Sequence, residues 1–200
     1  APVDLKNTGI DVYAVSGHKF HAPKGVGAVY IRGGIGLGPH LTGGGQEAGR
    51  RAGTEAVHQI AALGAAARLA KDVSAMERVR QLRDRLENEV LKMISDVSLN
   101  GDPVLRLPNT SNISFANTNG EAILARLDDL GICVSTGSAC ASADHAASPV
   151  LQAMNVPYAY AMGSIRFSLS RYTVDAEIDT VLGVLPGIVR GLRRLANAAV

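Results

Sequence analysis

The most constraining feature of the chain is a lysine placed at the end of an apolar strand. Val12–Val15 is predicted to form a buried strand, and Lys19 follows it closely. The residues between them are typical of a turn: Ser16, Gly17 and His18. Side chains at strand ends carry the chemistry of many α/β enzymes, whereas a turn lysine without a function is simply solvated. Spacing alone leaves both interpretations of Lys19 open.

A reactive role for this lysine would have a specific chemistry. A lysine amine becomes nucleophilic when burial or a nearby cation lowers its pKa, and its usual partner is the aldehyde of pyridoxal phosphate. Ser16 and His18 carry groups that can hydrogen-bond a phosphate. Lys19 is therefore a candidate Schiff-base former, with Ser16 and His18 as candidate phosphate ligands.

The two cysteines lie in unlike surroundings. Cys133 is predicted to be buried, because it belongs to the apolar segment 132–134. Cys140 lies in a run of small and polar residues, where a reactive thiol would be accessible. For Cys140 a working thiol and a structural one remain equally open. The loop from Ser138 to Ser148 is expected to be mobile, because it has no apolar stripe.

A short strand near the C-terminal end carries a third candidate. Alternation predicts that Arg166 lies on the polar face of this strand, a position that suits bidentate binding of a carboxylate. An ordinary surface arginine is the alternative. The predicted apolar face comprises Ile165, Phe167 and Leu169, and the polar face comprises Arg166, Ser168 and Ser170.

Composition excludes several classes of function. The chain has 200 residues, 46% of them apolar, and a formal net charge of +2 with scattered basic residues, so we expect no nucleic-acid partner. No apolar run approaches the ~20 residues that span a bilayer, so we expect no membrane insertion. The cysteines and histidines have no metal-site spacing, so we expect no metal.

The periodicities predict an α/β chain. Two strands (Asp11–Ser16 and Val26–Arg32) precede a glycine-rich link over 33–53 and a helix over 54–72. A second helix carries an apolar stripe of Met76, Val79, Leu82, Leu86, Val90 and Met93. Its charged residues are predicted to form a solvated face: Glu77, Arg78, Arg80, Arg83, Asp84, Arg85, Glu87 and Glu89.

The remainder is predicted to be α+β. The expected strands are Asn112–Ala116, Ile132–Ser135 and Ser164–Ser170, and the expected helices are Glu121–Leu130, Ser148–Met154 and Asp175–Ala198. We expect Thr173 to cap the last helix and Pro186 to bend it.

Four segments together resemble the cysteine desulfurases of the NifS and IscS type, which are fold-type I pyridoxal-phosphate enzymes. The resemblance covers nearly the whole chain, and the segments occur in the family's order. They are Ser16–Lys19 with Pro23–Gly27, Gly43–Glu47 with Arg51–Thr54, Gly137–Cys140, and Ser164–Leu169.

The resemblance implies a role for each candidate. Lys19 would carry the cofactor, and Ser16 and His18 would hold its phosphate. Thr54 would reach the phosphate of the partner subunit's cofactor, which implies a homodimer. Cys140 would receive sulfur from L-cysteine, and Arg166 would bind the substrate carboxylate.

The resemblance also implies that the chain is the C-terminal portion of such an enzyme. The family's preceding stretch supplies the group stacked on the cofactor ring, the carboxylate facing the pyridine nitrogen and an asparagine for the substrate, and none of these is present here. The expected domains are a remnant of the large cofactor-binding domain with its glycine-rich link (1–53), a connecting helix (54–75) and a small α+β domain carrying the cysteine loop (76–200). We expect the chain alone to be inactive.

The expected function is that of a cytoplasmic, pyridoxal-phosphate-dependent cysteine desulfurase. It would convert L-cysteine to L-alanine, leave a persulfide on Cys140 and pass sulfur to an acceptor or iron–sulfur scaffold protein. Two alternatives remain open: another fold-type I enzyme, such as an aminotransferase or a selenocysteine lyase, and a non-catalytic fragment for dimerisation or scaffold docking.

Overall fold

The computed structural model describes residues 3–136 and 147–198. The chain divides after Ser74 into two compact units. Among the described residues, no helix combines the length and the apolar character that crossing a bilayer requires.

The first unit contains an antiparallel strand pair and a helix. Strands β1 (Val12–Ser16) and β2 (Gly27–Ile31) pair from Val12 opposite Ile31 to Ser16 opposite Gly27. A 3₁₀ turn, Gly17–Phe20, follows β1 directly and packs against helix α2 (Val57–Ala70). A short helical turn, α1 (Gln46–Gly49), lies within the glycine-rich link. The two strands confirm the sequence prediction, and α2 begins later than expected.

Strand β1 is more exposed than the sequence predicted. Val12 on β1 is 43% exposed, and Val29 on β2 is 54% exposed. The expectation of a buried β1 is therefore wrong for this chain by itself. Val12 and Val29 lie on the same face of a two-stranded sheet, since Val12 pairs with Ile31 and Ala14 with Val29, and this face is left in contact with water.

The second unit contains a three-stranded antiparallel sheet and five helices. The strands are β3 (Val97–Leu99), β4 (Thr110–Phe115) and β5 (Ser164–Ser168). The helices are α3 (Met76–Met93), α4 (Gly120–Asp128), α5 (Pro149–Ala153), α6 (Tyr158–Ala161) and α7 (Asp175–Ala198). The strand order is β3-β4-β5, and helices α3 and α7 pack against each other on the apolar face of the sheet.

The core of this unit confirms the predicted alternation of β5. Ile165, Phe167 and Leu169 are all buried, and full burial of such side chains stabilises a fold by about 1.5–3 kcal/mol each. The apolar stripe of α3 faces the same core, with the exception of Met93, which is 48% exposed.

Two charged residues of α3 correct the prediction of a solvated helix face. Arg83 and Glu87 are buried, at 4% and 6% exposure. The guanidinium of Arg106 donates to the Glu87 carboxylate at 2.7 Å and to the carbonyl of Thr110, while Arg83 donates to the carbonyl of Leu107. The loop before β4 thus covers this part of α3 and removes the Arg106–Glu87 ion pair from water. The periodicity of a helix cannot predict that a distant loop covers it.

Two further expectations are corrected. Residues 132–134 are not a strand, since only Ser135 forms a bridge with Arg166. Thr173 does not cap α7: its hydroxyl accepts from the N–H of Ser170, and the Glu177 carboxylate accepts from the N–H of Val174 instead. Helix α7 includes Pro186, and the bend expected there stays a prediction.

Candidate functional site

The turn that carries Lys19 is shaped by close backbone contacts. The N–H of Gly17 donates to the carbonyl of Val26 at 3.0 Å, and the N–H of Ala22 donates to the carbonyl of Gly17 at 3.1 Å. A Cβ atom on Gly17 would lie 2.7 Å from the Val26 oxygen and 2.9 Å from Leu63 of α2. Only glycine fits this position without a shift of its neighbours.

A second glycine is required on the returning strand. A Cβ atom on Gly27 would lie 2.5 Å from the carbonyl oxygen of Val15. Between the two glycines, Gly25 has a φ of 87° and His21 has a φ of 72°, both in the left-handed region that glycine adopts most easily. These positions therefore allow the backbone to turn tightly between the lysine turn and β2.

The three predicted cofactor-binding side chains of this turn lie together at its surface. Ser16, His18 and Lys19 are all exposed, and the Ser16 hydroxyl lies 3.1 Å from Nδ1 of His18. If that hydroxyl donates to Nδ1, the neutral imidazole carries its proton on Nε2 and offers a donor to an anion. Within the described residues, the Lys19 amine has no hydrogen-bond or ion-pair partner, so it is available to react.

Thr54 lies in the same unit and is exposed, three residues before α2 begins. The link before it is folded around Gln46, which bridges to Arg51, and the φ of Glu47 is 49°. The glycine-rich link is therefore not a plain spacer. It holds a defined backbone path that leads to Thr54.

Arg166 lies on β5 in the second unit. Its backbone exchanges two hydrogen bonds with Ser135, and on the other side it pairs with Asn112 of β4. The guanidinium is half-buried and makes no ion pair or hydrogen bond with any residue that the structure describes. It lines a cavity of about 220 Å³. The other residues of this cavity are Asn100, Gly101, Asn112, Ser148, Val150, Leu151, Met154 and Ser164.

The surroundings of Cys133 differ from the prediction. Cys133 is exposed, not buried, because the segment that carries it does not join the sheet as a strand. Cys140 and most of the predicted mobile loop, from Ser138 to Ser148, lie outside the described residues. In the part of the chain that is described, no group of three or more His, Cys, Asp or Glu side chains could hold a metal ion.

The structure thus brings Ser16, His18 and Lys19 into one turn and places Arg166 in the other unit. Sequence reasoning missed Asn112, which faces the same cavity as Arg166. Its signal was present in the alternation of β4, since Ile113 and Phe115 are buried and Asn112 and Ser114 occupy the opposite face.

Comparison with known proteins decides the family. Residues 1–181 match the sequence profile described as aminotransferase class-V. The chain belongs to this family. A cysteine desulfurase of Trichormus variabilis is 53% identical over 98% of this chain, and the cysteine desulfurase NifS of Azotobacter vinelandii is 49% identical over 98%. Both matches cover 49% of the relative, so the chain spans about half the length of the curated relatives it matches.

Solved structures show the same relationship. A NifS-like protein aligns with a TM-score of 0.86 and 34% identity over 96% of this chain and 49% of its own. A NifS-like protein from Rickettsia africae aligns with a TM-score of 0.84 over 94% of this chain and 50% of its own. The α/β fold expected from the sequence is confirmed.

Aminotransferase class-V enzymes depend on pyridoxal phosphate. The lysine turn fits this cofactor on three counts: an exposed amine on Lys19 that has no partner in the described part of the chain, a serine–histidine pair that can donate to a phosphate, and a glycine at 17 that lets the backbone turn sharply between them.

Proposed function

We propose that this chain forms the C-terminal half of a pyridoxal-phosphate-dependent cysteine desulfurase. The observation that carries the proposal is the lysine turn, in which Lys19 has no partner among residues 3–136 and 147–198 and lies beside the hydrogen-bonded pair of Ser16 and His18. The cysteine desulfurases to which the chain is about half identical support the substrate class. They favour this function over an aminotransferase, a selenocysteine lyase or a non-catalytic fragment.

Each residue of the lysine turn has a proposed role. The Lys19 amine holds the cofactor through its aldehyde and later moves the α-proton of the substrate. When the cofactor phosphate binds, the Ser16 hydroxyl turns from Nδ1 of His18 and donates to the phosphate, and the His18 imidazole donates a second hydrogen bond. Thr54 reaches the phosphate in the partner subunit of a homodimer. Pyridoxal phosphate, when bound, supplies the electron sink for the pair left by loss of that proton.

The substrate is held and desulfurated by residues of the second unit. Arg166 binds the carboxylate of L-cysteine in a bidentate pair, which orients the substrate sulfur. The Cys140 thiolate then attacks that sulfur. A sulfur–sulfur bond forms, the Cβ–sulfur bond breaks, and its electron pair stays with the carbon skeleton. The skeleton takes up one proton at Cβ and regains the α-proton from Lys19, which gives L-alanine. Cys140 retains the sulfur as a persulfide.

The persulfide is the form in which sulfur leaves the enzyme. We propose an acceptor or iron–sulfur scaffold protein as its recipient and the cytoplasm as the place of the reaction, because a reducing compartment keeps the Cys140 thiol free of disulfides and able to attack the next substrate.

Borohydride labelling tests the proposal. The material is the completed enzyme, by which we mean this chain joined to the N-terminal half of the Trichormus variabilis relative. Reduction should fix pyridoxal phosphate on the peptide that contains Lys19, and Lys19→Ala should abolish both label and turnover. Lys24→Ala is the matched control and should keep both. A label on Lys24 or Lys6 would show that the lysine is wrongly assigned.

A further inference from the structure

A second hydrogen-bond donor lies beside Arg166 in the cavity of the second unit. Asn112 on β4 is directly opposite Arg166 on β5, and both side chains line the same space of about 220 Å³. Directly opposed residues of an antiparallel pair project on the same face with their Cβ atoms about 4.5–5.5 Å apart. One carboxylate can therefore contact both side chains.

The orientation of the Asn112 amide is set by Asn100. The Nδ2 group of Asn100 donates to Oδ1 of Asn112 at 2.6 Å and to the hydroxyl of Ser114 at 2.7 Å. Backbone pairing supports this contact, since the N–H of Asn100 donates to the carbonyl of Asn112 at 2.9 Å. The acceptor of the Asn112 amide is thus occupied, and its Nδ2 donor has no partner among the described residues.

The cavity is suited to a small anion. None of the described residues that line it is acidic, so none of them neutralises the Arg166 guanidinium. A carboxylate has two oxygens with about four acceptor positions, of which a bidentate arginine occupies two. The remaining positions need other donors once the group leaves water, and this chain offers one beside Arg166.

We propose that Nδ2 of Asn112 donates a hydrogen bond to the substrate carboxylate that Arg166 binds, and that Asn100 is a positioning residue that holds the amide in this orientation. The inference rests on the proposed function, since it takes Arg166 as the carboxylate ligand. It adds a second contact to the substrate carboxylate, from Asn112, and identifies Asn100 as the residue that orients the Asn112 amide.

Equilibrium binding separates this contact from catalysis. The completed enzyme is titrated with L-alanine, which has a carboxylate, and with ethylamine, which lacks one, and the absorbance of the cofactor reports binding. Asn112→Asp keeps the acceptor for Asn100 but replaces the donor with an anion. We expect it to weaken L-alanine binding about thirtyfold and ethylamine binding less than about twofold. Asn112→Ala should weaken L-alanine binding about fivefold.

The positioning role has its own variants. Asn100→Ala should weaken L-alanine binding about threefold, because the Asn112 amide then rotates freely. Asn109→Ala is the matched control: its side chain donates to the carbonyl of Leu169 and does not line the cavity, so the variant should leave the binding of both probes unchanged.

Arg166→Ala distinguishes failure of the role proposed for Asn112 from failure of the role proposed for Arg166. If it weakens L-alanine binding selectively while Asn112→Asp and Asn112→Ala do not, the role of Asn112 is wrong and the proposed function stands. If Arg166→Ala leaves the preference for L-alanine over ethylamine intact, the assignment of Arg166 is wrong, and the inference falls with it.

Discussion

The N–H of Gly17 donates to the carbonyl oxygen of Val26 at 3.0 Å, and a Cβ atom on Gly17 would lie 2.7 Å from that same oxygen. One contact therefore both closes the lysine turn and excludes every side chain from its first position. The position of Lys19 relative to Ser16 and His18 depends on this glycine, because Ser16 and His18 flank it in the chain.

Replacement of this glycine should be costly. Gly17→Ala forces a shift of β2 or of Leu63, and overpacking of this kind costs about 1–3 kcal/mol. Urea unfolding of the chain, followed by circular dichroism, measures the loss. Gly36→Ala is the control and should change the free energy of unfolding by less than about 0.5 kcal/mol, because a Cβ atom there meets nothing within 4 Å. Equal stability of the two variants would contradict the steric argument.

The two cysteines should differ in sulfur transfer. With L-cysteine and no acceptor, the completed enzyme should gain one sulfur on the peptide with Cys140 and none on the peptide with Cys133, as mass spectrometry of the peptides would show. Cys140→Ser should lose turnover and Cys133→Ser should retain it. Cys133 is exposed, so burial would not explain its failure to gain sulfur. The comparison therefore tests whether Cys140 is the thiol that attacks the substrate sulfur. A persulfide on Cys133 would overturn the assignment.

The buried ion pair of α3 should contribute strongly to stability. Glu87→Ala leaves Arg106 and Arg83 without their buried carboxylate, and removal of one partner of such a pair costs about 3–5 kcal/mol. Glu89→Ala is the matched control on the same helix: its carboxylate pairs with Lys92 at the surface, and its loss should cost less than about 1 kcal/mol. Urea unfolding compares the two variants. A cost for Glu87→Ala no larger than that of the control would refute the importance of this pair.

This chain by itself should not hold the cofactor. Strands β1 and β2 have open edges and exposed apolar side chains, and the chain spans about half the length of its curated relatives. We expect substoichiometric pyridoxal phosphate and no desulfurase turnover from the isolated 200-residue chain, and full loading of the completed enzyme. Cofactor absorbance and alanine production give the answer. Stoichiometric cofactor with turnover in the isolated chain would show that the lysine turn is sufficient.

Local patterns in the sequence determined much of this protein. The alternation around Arg166 predicted both faces of β5, because strand geometry places successive side chains on opposite sides whatever the surroundings are. The strands on either side of Lys19 followed from apolar runs interrupted by turn residues. Strand β3 was missed because three residues are too few for a period to emerge.

Burial and cross-strand partnership were decided by tertiary structure. Arg83 and Glu87 have the spacing of a solvated helix face, but the loop before β4 covers them. Cys133 is exposed because its apolar neighbours do not join the sheet as a strand. Asn112 meets Arg166 only through the register of β4 against β5, which pairs residues 54 positions apart. A sequence period records which face a residue occupies, but long-range packing determines what that face meets.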